Sequence, residues 1–279
     1  MIIMNILQKE ELEILKYFDN FTERNNLSYI LYAGTLLGAV RHKGFIPWDD
    51  DIDVAMKREE YEKFEKLFIN SDYREKGFNY QSRKIYPYQA IPFSKIRSKQ
   101  INVIERVSKT QKGYYGPWID IFPYDNIPDD PEKRLEQYKK VNFYNTILKK
   151  FLLIQIEPED KGVKKIVKKI VRNINENLYR SYFFLEYVFR KREEWLKMYN
   201  DIETTHSADI SYMYHKNYQE YSGTFIKNKD FKNLKKMDFE DRMFYVPKNY
   251  DEILTNLYGN YMKIPEKSER KEHKIEYLV

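Results

Sequence analysis

The chain of 279 residues contains no cysteine. This absence excludes thiol nucleophiles, thiolate zinc sites and disulfide bonds as a basis for its function or stability. A chain of this length can bury a sizeable apolar core, so it does not need such cross-links to fold. The lack of cysteine also fits a reducing compartment.

Long apolar runs are absent as well. The longest clear one, residues 151–156, is far shorter than the roughly 20 residues of a membrane-spanning helix. Residues 1–15 lack the basic start and the longer apolar run of a signal peptide. We therefore expect a soluble, cytoplasmic protein, with attachment to the inner face of the cell membrane left open.

The excess of basic residues is moderate, with a formal net charge of +6 and 33% charged residues. This balance favours acidic partners such as phosphates, nucleotides or anionic lipid surfaces. It does not single out nucleic acid.

Residues 1–131 alternate between helical and extended patterns. Apolar residues recur at helical spacing over residues 6–26 and 57–69. Strand-like runs lie at residues 29–32, 51–56, 78–82, 93–97 and 118–122. This alternation predicts a mixed α/β unit.

The remainder of the chain has a different pattern. Residues 132–200 hold one proline, one glycine and many Lys, Arg and Leu residues, which predicts two or three helices. Strand patterns return at 210–214 and 239–246, and residues 249–262 have helical spacing.

We therefore predict three parts. Residues 1–131 form a catalytic core, residues 132–205 form a helical insertion, and residues 206–279 complete the catalytic domain.

The first candidate site is acidic. Asp49, Asp51 and Asp53 alternate, so on an extended strand their side chains share one face and Asp50 faces the other way. Such carboxylates repel one another unless a cation or protons intervene. Oxygen-only ligands favour Mg²⁺ or Mn²⁺. The competing explanation is a solvated acidic turn, because Asp50 makes the whole stretch acid-rich.

Gly34-Thr35 precedes this cluster, between a predicted strand and a predicted helix. Free backbone N–H groups at a helix start can hold a phosphate. Gly34 allows close approach to the backbone, and Thr35 offers a hydroxyl that can also cap the helix. The pair alone is weak evidence, but together with the Asp-x-Asp pattern it predicts a pocket that binds phosphate and metal.

Asp120 is a third element of the predicted site. It lies among large apolar residues in the strand pattern at 118–122, where a buried carboxylate needs a partner. A metal shared with Asp51 and Asp53 would supply one. The alternative is a salt bridge to a neighbouring lysine or arginine.

Basic residues near these acids are candidates for binding phosphate. Arg41 has the planar fork that matches phosphate oxygens, although it could also be a surface charge. His42 could bind the same group or be structural. Lys95 and Arg97 alternate on a predicted strand and could face a nucleotide.

These residues carry a family resemblance. Gly34-Thr-Leu-Leu-Gly-Ala-Val-Arg-His42, followed by Gly44-Phe-Ile-Pro-Trp-Asp-Asp-Asp-Ile-Asp53, closely resembles the signature of the LicD family. Residues 119–125, 245–251 and 257–262 look like its downstream blocks. Two positions depart from the pattern: Asn260, where Asp is frequent, and His273, where a histidine pair is common.

The resemblance covers about residues 25–130 and 238–273, and it implies an α+β, nucleotidyltransferase-like fold: a mixed sheet with flanking helices and an inserted helical region. Such proteins move phosphocholine from CDP-choline to a sugar hydroxyl on a glycan such as teichoic acid or lipopolysaccharide. Fukutin-type relatives transfer sugar-alcohol phosphates. The implied partners are a CDP-choline-like donor and a sugar or lipid-linked glycan acceptor, without nucleic acid.

The family's metal-binding carboxylates map onto Asp51 and Asp53, with Asp49 beside them. Asp120 fits the third carboxylate, either as a metal ligand or as the base for the acceptor hydroxyl.

A choline head group would favour aromatic faces for its quaternary ammonium. Tyr114, Tyr115 and Trp118 are candidates close to Asp120, and core packing is the competing explanation.

Residues 161–172 predict an amphipathic helix with Val163, Ile166, Val167, Ile170 and Val171 on one face and basic residues on the other. Such a helix could lie on an anionic membrane surface. It could equally pack on the domain.

Other classes remain possible from the residues alone. Glycosyltransferases also hold a metal with Asp-x-Asp, and a nucleotidyltransferase would transfer the nucleotide itself. A phosphate sensor without activity is disfavoured by the intact acidic triplet. A nucleic-acid binder is disfavoured because carboxylates repel a phosphate backbone unless metal intervenes.

Overall fold

A computed structural model describes residues 4–87, 91–105, 115–152, 161–178, 182–209, 217–270 and 275–277. The strand predicted at 210–214 and the residues Tyr114 and His273 lie outside these ranges.

The first helix, α1 (Ile6–Arg24), starts at a reciprocal cap. The Gln8 backbone N–H donates to Asn5 Oδ1 at 2.9 Å, and the Asn5 N–H donates to Gln8 Oε1 at 3.1 Å. Leu12, Leu15 and Phe18 repeat at helical spacing and are buried against the sheet. The predicted helix over 6–26 is thus confirmed.

The central sheet is mixed and has seven strands. Its main path runs β1 (Ile30–Leu31), β2 (Ile52–Lys57), β6 (Trp118–Ile127), β4 (Ser94–Ser98), β3 (Phe78–Gln81). The β2–β6 pair is parallel and the other pairs are antiparallel. β7 (His206–Ala208) and β8 (Ile226–Lys227) extend the sheet from the far end of β6.

Helices cover this sheet. α2 (Ala33–Arg41) lies between β1 and the loop of residues 49–51, the acidic loop. α3 (Arg58–Ile69) follows β2 directly. Phe18 of α1 and Phe64 of α3 meet edge to face at 5.2 Å between ring centroids, inside a core of aliphatic and aromatic side chains. Helices packed on a largely antiparallel sheet define an α+β fold, as expected.

The described residues between 131 and 197 form three helices: α4 (Pro131–Leu152), α5 (Gly162–Leu178) and α6 (Tyr182–Lys197). α4 and α6 pack together, and Gln137 donates to the Trp195 carbonyl at 3.0 Å. The prediction of two or three helices is confirmed. Among the described residues, no helix is both long enough and apolar enough to cross a membrane. The three-part division of the chain stays a prediction.

The C-terminal elements differ from expectation. Residues 239–246 do not form one strand: β9 (Leu234–Phe239) and β10 (Arg242–Pro247) form a hairpin that turns at Glu240, whose φ is +56°. Asp241 is typical of turns, but no glycine or asparagine accompanies it as in the common two-residue hairpin turns, so the sequence signal was weak. α8 (Tyr250–Tyr258) ends earlier than predicted because Gly259 adopts a φ of +64°.

A separate two-stranded sheet and a short helix are also present. β5 (Val103–Glu105) pairs with β11 (Ile275–Tyr277), and α7 (Tyr218–Ser222) lies between β7 and β8 in the chain.

A buried ion pair connects α3 to the central strand. Arg58 Nε and Nη2 donate to the two carboxylate oxygens of Asp125 at 2.8 and 2.6 Å, and Asn200 donates to the same carboxylate at 2.6 Å. Both charged side chains are almost fully buried. This two-bond geometry fixes the first turn of α3 to β6.

We predict that Asp125→Asn lowers the free energy of unfolding by about 3–5 kcal/mol, because it leaves the buried Arg58 charge without its hydrogen-bonded counter-charge. Chemical denaturation measures the effect. Asp72→Asn, which breaks an exposed pair with Lys76, serves as the control and should cost less than about 1 kcal/mol. Equal losses in the two variants would contradict the prediction.

Candidate functional site

Six carboxylates lie in one region of the molecule, those of Asp49, Asp50, Asp51, Asp53, Asp120 and Glu11. The five aspartates form two overlapping groups. Oxygen atoms of Asp51, Asp53 and Asp120 lie within 4.8 Å of one another, and those of Asp49, Asp50 and Asp51 do so as well. Asp51 belongs to both groups. The structure therefore brings together all four predicted metal ligands: Asp49, Asp51, Asp53 and Asp120.

The prediction that Asp50 faces away is wrong. β2 begins only at Ile52, so the alternation of an extended strand does not reach residues 49–51. These residues form a loop, and Asp50 turns towards Asp49 and Asp51.

Strand register explains why Asp53 and Asp120 meet. Asp53 on β2 lies directly beside Asp120 on the parallel strand β6, and Lys95 on β4 lies beside Asp120 from the other side. Neighbouring strands are roughly 4.8 Å apart, so the three side chains form one row across the sheet.

Lys95 is the counter-charge in this row. Its Nζ atom lies 2.8 Å from Asp120 Oδ1 and 3.1 Å from Oδ2, and the lysine is buried. The salt bridge offered as the alternative for Asp120 is thus present, and Asp120 also lies close to Asp51 and Asp53, while the shared metal stays a prediction. The structure directs Lys95 towards Asp120, and its predicted phosphate contact stays a prediction.

The cluster remains rich in negative charge. Burial raises the pKa of Asp53 well above its usual range, and Asp51, Asp120 and Asp49 raise it further, whereas Lys95 opposes them. An oxygen-only set with unbalanced negative charge suits a hard divalent cation. Asp51, Asp53 and Asp120 are the residues that could hold one.

Thr35 has a different role in the fold from the one predicted. α2 starts at Ala33, so Thr35 lies inside the first turn and does not cap the helix. Its buried hydroxyl accepts a hydrogen bond of 2.8 Å from the Asp53 backbone N–H. Thr35 therefore fixes the start of β2, and with it the Asp53 side chain.

Gly34 allows a close approach, as predicted, but the group that approaches is a carboxylate. A β-carbon at this position would lie 2.6 Å from Asp49 Oδ2. The Asp49 carboxylate thus lies against the first turn of α2, where the helix dipole favours negative charge. Phosphate binding by Gly34 and Thr35 stays a prediction.

Arg41 and His42 lie at the other end of α2. Arg41 Nη1 donates to the Tyr261 carbonyl at 2.6 Å, which attaches α2 to the segment after α8. Burial, and then the charge of Arg41, lower the pKa of His42, whose ring lies edge-on to Trp48. Their contacts with phosphate stay predictions.

Glu11 is a site residue that the sequence reasoning missed. It lies on α1, is fully buried, and has no hydrogen-bond partner for either carboxylate oxygen among the described residues. Burial raises its pKa well above 4.5, and Asp51, Asp50, Asp49 and Asp120 raise it further. The available signal was an acid on the helix face that also carries Leu12 and Leu15.

Gln8 lies one turn before Glu11 on the same helix and donates to the Asp49 carbonyl at 2.9 Å. The N-terminal half of α1 is therefore part of the wall behind the acidic loop.

Tyr258 on α8 is a second missed residue. Its side chain is 45% exposed, yet burial near the hydroxyl raises its pKa, and Tyr32, Asp53, Asp49 and Asp51 raise it further. It therefore lies beside the acidic cluster with part of its surface open to solvent.

Trp118 is a core residue and does not offer a free face. It is fully buried, and Lys95 Nζ and the Arg97 guanidinium lie 4.7 and 5.0 Å from its ring centroid. Arg97 itself is buried and bonds to Gln81 and to the Gly116 carbonyl. Trp118 is thus excluded as a contact for a choline head group, while Tyr115 is partly exposed.

A mixed sheet that presents Asp-x-Asp and a third carboxylate beside a helix start is the arrangement of a nucleotidyltransferase-type domain. Residues 26–159 match the family described as LicD/FKTN/FKRP, nucleotidyltransferase domain. This match contains the acidic loop and Asp120.

Curated relatives extend the similarity beyond that domain. The chain is 29% identical to the lipopolysaccharide cholinephosphotransferase LicD of Haemophilus influenzae over 95% of this chain and 93% of the relative. An uncharacterized protein of Rickettsia typhi is 35% identical over 26% of this chain and 23% of its own length. Residues 26–159 therefore carry the nucleotidyltransferase domain of the LicD type, and the similarity to the curated LicD extends over nearly the whole chain.

We predict that Gly34→Ala destabilises the protein by about 1–3 kcal/mol, because the added methyl group displaces the Asp49 carboxylate. Helix propensity alone would favour alanine by up to about 1 kcal/mol. Chemical denaturation of the metal-free protein measures the change. In an Asp49→Ala background the same substitution should become neutral or stabilising. Equal destabilisation in both backgrounds would show that Asp49 is not the obstacle.

We predict that Glu11→Gln changes the pH dependence of stability. The raised pKa means that the folded protein binds a proton that the unfolded chain releases above about pH 4.5. Wild-type stability therefore falls as pH rises through this range, by up to about 1.4 kcal/mol per pH unit from this group. Glutamine does not titrate, so the variant should gain stability relative to wild type as pH rises.

Urea denaturation between pH 4.5 and 8 in the presence of EDTA tests this. Glu13→Gln, on the exposed side of the same helix, is the matched control. Parallel stability curves for wild type and Glu11→Gln would contradict the predicted effect.

Proposed function

We propose that this chain is a metal-dependent transferase that moves phosphocholine, or a related phosphoalcohol, from a CDP-linked donor to a sugar hydroxyl of a cell-surface glycan. The observation that carries this proposal is the convergence of Asp51, Asp53 and Asp120 beside the start of α2. The similarity to the lipopolysaccharide cholinephosphotransferase of Haemophilus influenzae supports phosphocholine as the transferred group and lipopolysaccharide as the class of acceptor.

Asp51, Asp53 and Asp120 would hold the cation, with Asp49 beside them. A Mg²⁺ or Mn²⁺ ion at this position would neutralise the pyrophosphate oxygens of the donor and favour ionisation of the attacking hydroxyl. Thr35 keeps Asp53 in place, and Lys95 orients Asp120. The protein thus supplies a preorganised set of oxygen ligands.

For Asp120, the geometry favours the role of ligand over that of base. The Lys95 ammonium lies within 3.1 Å of both Asp120 oxygens and stabilises the ionised carboxylate, which disfavours transfer of a proton to it.

The choline head group would contact Tyr258. This tyrosine combines a partly exposed ring with nearby carboxylates, and both attract a quaternary ammonium. Trp48 is a weaker candidate, because the Arg270 guanidinium already lies 4.0 Å from its ring centroid.

We predict that Asp51→Ala and Asp53→Ala each reduce transfer by at least about 10²–10³-fold, because each removes charge stabilisation that the transition state requires. The assay measures CMP release with Mg²⁺, a panel of CDP-alcohols and a lipopolysaccharide acceptor. Asp201→Ala, an exposed aspartate in the loop after α6, is the control. Circular dichroism and thermal unfolding verify that the variants fold.

Near-normal turnover in either site variant would refute the site. Product analysis separates the competing reactions: a nucleotide attached to the product would indicate nucleotidyl transfer, and turnover of nucleotide sugars alone would indicate a glycosyltransferase.

A further inference from the structure

The helix α5 exposes an apolar face. Val163, Ile166, Val167 and Ile170 follow the spacing of one helical face, and they are 75%, 58%, 50% and 51% exposed. If α5 packed on the rest of the domain, it would bury this apolar face. The exposure of these four residues therefore excludes such packing for the first half of α5 within the described part of the chain.

The remaining surface of α5 is strongly basic. Between residues 161 and 172 the sequence holds six Lys and Arg residues and no acidic one. Among these, Lys164, Lys165, Lys168 and Lys169 fall on the side of the helix opposite the four aliphatic residues.

The basic charge and the apolar face together indicate which partner could cover this surface of α5. A second copy of the chain would bring the same basic helix and the same net charge of +6 towards this face, which opposes association. Four aliphatic side chains are also few compared with the roughly 20–30 residues that each partner contributes to a stable protein interface. An anionic bilayer satisfies both properties, since lipid tails accept the aliphatic residues and head groups attract the lysines.

We propose that α5 lies in the plane of an anionic lipid bilayer, with Val163, Ile166, Val167 and Ile170 inserted at the boundary between head groups and acyl chains. The long axis of the helix is then parallel to the membrane, and the described residues hold no helix that could cross it. This surface is separate from the phosphoryl-transfer site, and it would operate whichever group that site transfers.

Co-flotation of the full-length protein with vesicles tests the proposal. One set of vesicles contains phosphatidylcholine alone, and the other contains phosphatidylcholine with phosphatidylglycerol. We expect binding to the anionic vesicles at low salt and little binding to neutral ones. High salt should weaken the binding, because the Debye length falls from about 10 Å at 0.1 M to about 3 Å at 1 M.

Matched variants distinguish insertion of the apolar face of α5 from nonspecific adsorption of the protein to vesicles. Ile166→Gln combined with Ile170→Gln should reduce the partition coefficient at least about tenfold. The control pair, Ile6→Gln combined with Ile202→Gln, replaces isoleucines that are 58% and 52% exposed elsewhere on the surface, and it should bind like wild type. Replacing Lys165 and Lys169 by glutamine should weaken anionic binding about fivefold per lysine.

Three outcomes would overturn the proposal. They are wild-type protein that does not float with anionic vesicles at low salt, an Ile166/Ile170 variant that floats like wild type, and a dimer in sedimentation experiments that this variant converts to monomer. The last result would assign the face to a second copy of the chain. Circular dichroism of each variant ensures that loss of binding is not loss of helix.

Discussion

The repulsion between crowded carboxylates is the constraint on which the rest of the site depends. Asp51, Asp53 and Asp120 are held close together by strand register and by the Lys95 ammonium, which pairs with Asp120 from the neighbouring strand. One buried lysine does not balance this charge, as the raised pKa values of Asp53 and Glu11 indicate. The fold therefore maintains an arrangement that is unfavourable unless protons or a cation intervene, which suits a cation-binding site.

The architecture around the acids serves to hold them against that repulsion. Thr35 fixes the backbone of Asp53, Gln8 fixes the loop at Asp49, and Gly34 leaves space for the Asp49 carboxylate. Gln8 lies in the first turn of α1, and Gly34 and Thr35 both lie in the first turn of α2. The two helices nearest to the acidic loop thus act on its backbone and its shape.

Much of this site could be predicted from the sequence because its signals are local. The Asp-x-Asp pattern and the apolar surroundings of Asp120 correctly indicated residues that meet in space, although Asp49 and Asp51 lie in a loop and not on β2. Glu11 and Tyr258 were missed because tertiary packing brings them to the site from distant helices. Asp50 was misplaced because the strand starts later than the pattern suggested. The turn at Glu240 was missed because Asp241 is a weak signal without an accompanying glycine.

The turn at Glu240 has a consequence for how the protein is made. Glu240 Oε1 accepts from the Phe45 backbone N–H at 2.9 Å, its own N–H donates to the Lys43 carbonyl, and its side chain fills the space beside Gly44. Arg41 in turn bonds to the Tyr261 carbonyl. The segment that leads into the acidic loop is therefore closed by residues translated some 200 positions later. During synthesis, the segment around Gly44 therefore lacks these hydrogen bonds until residues 240–261 have left the ribosome.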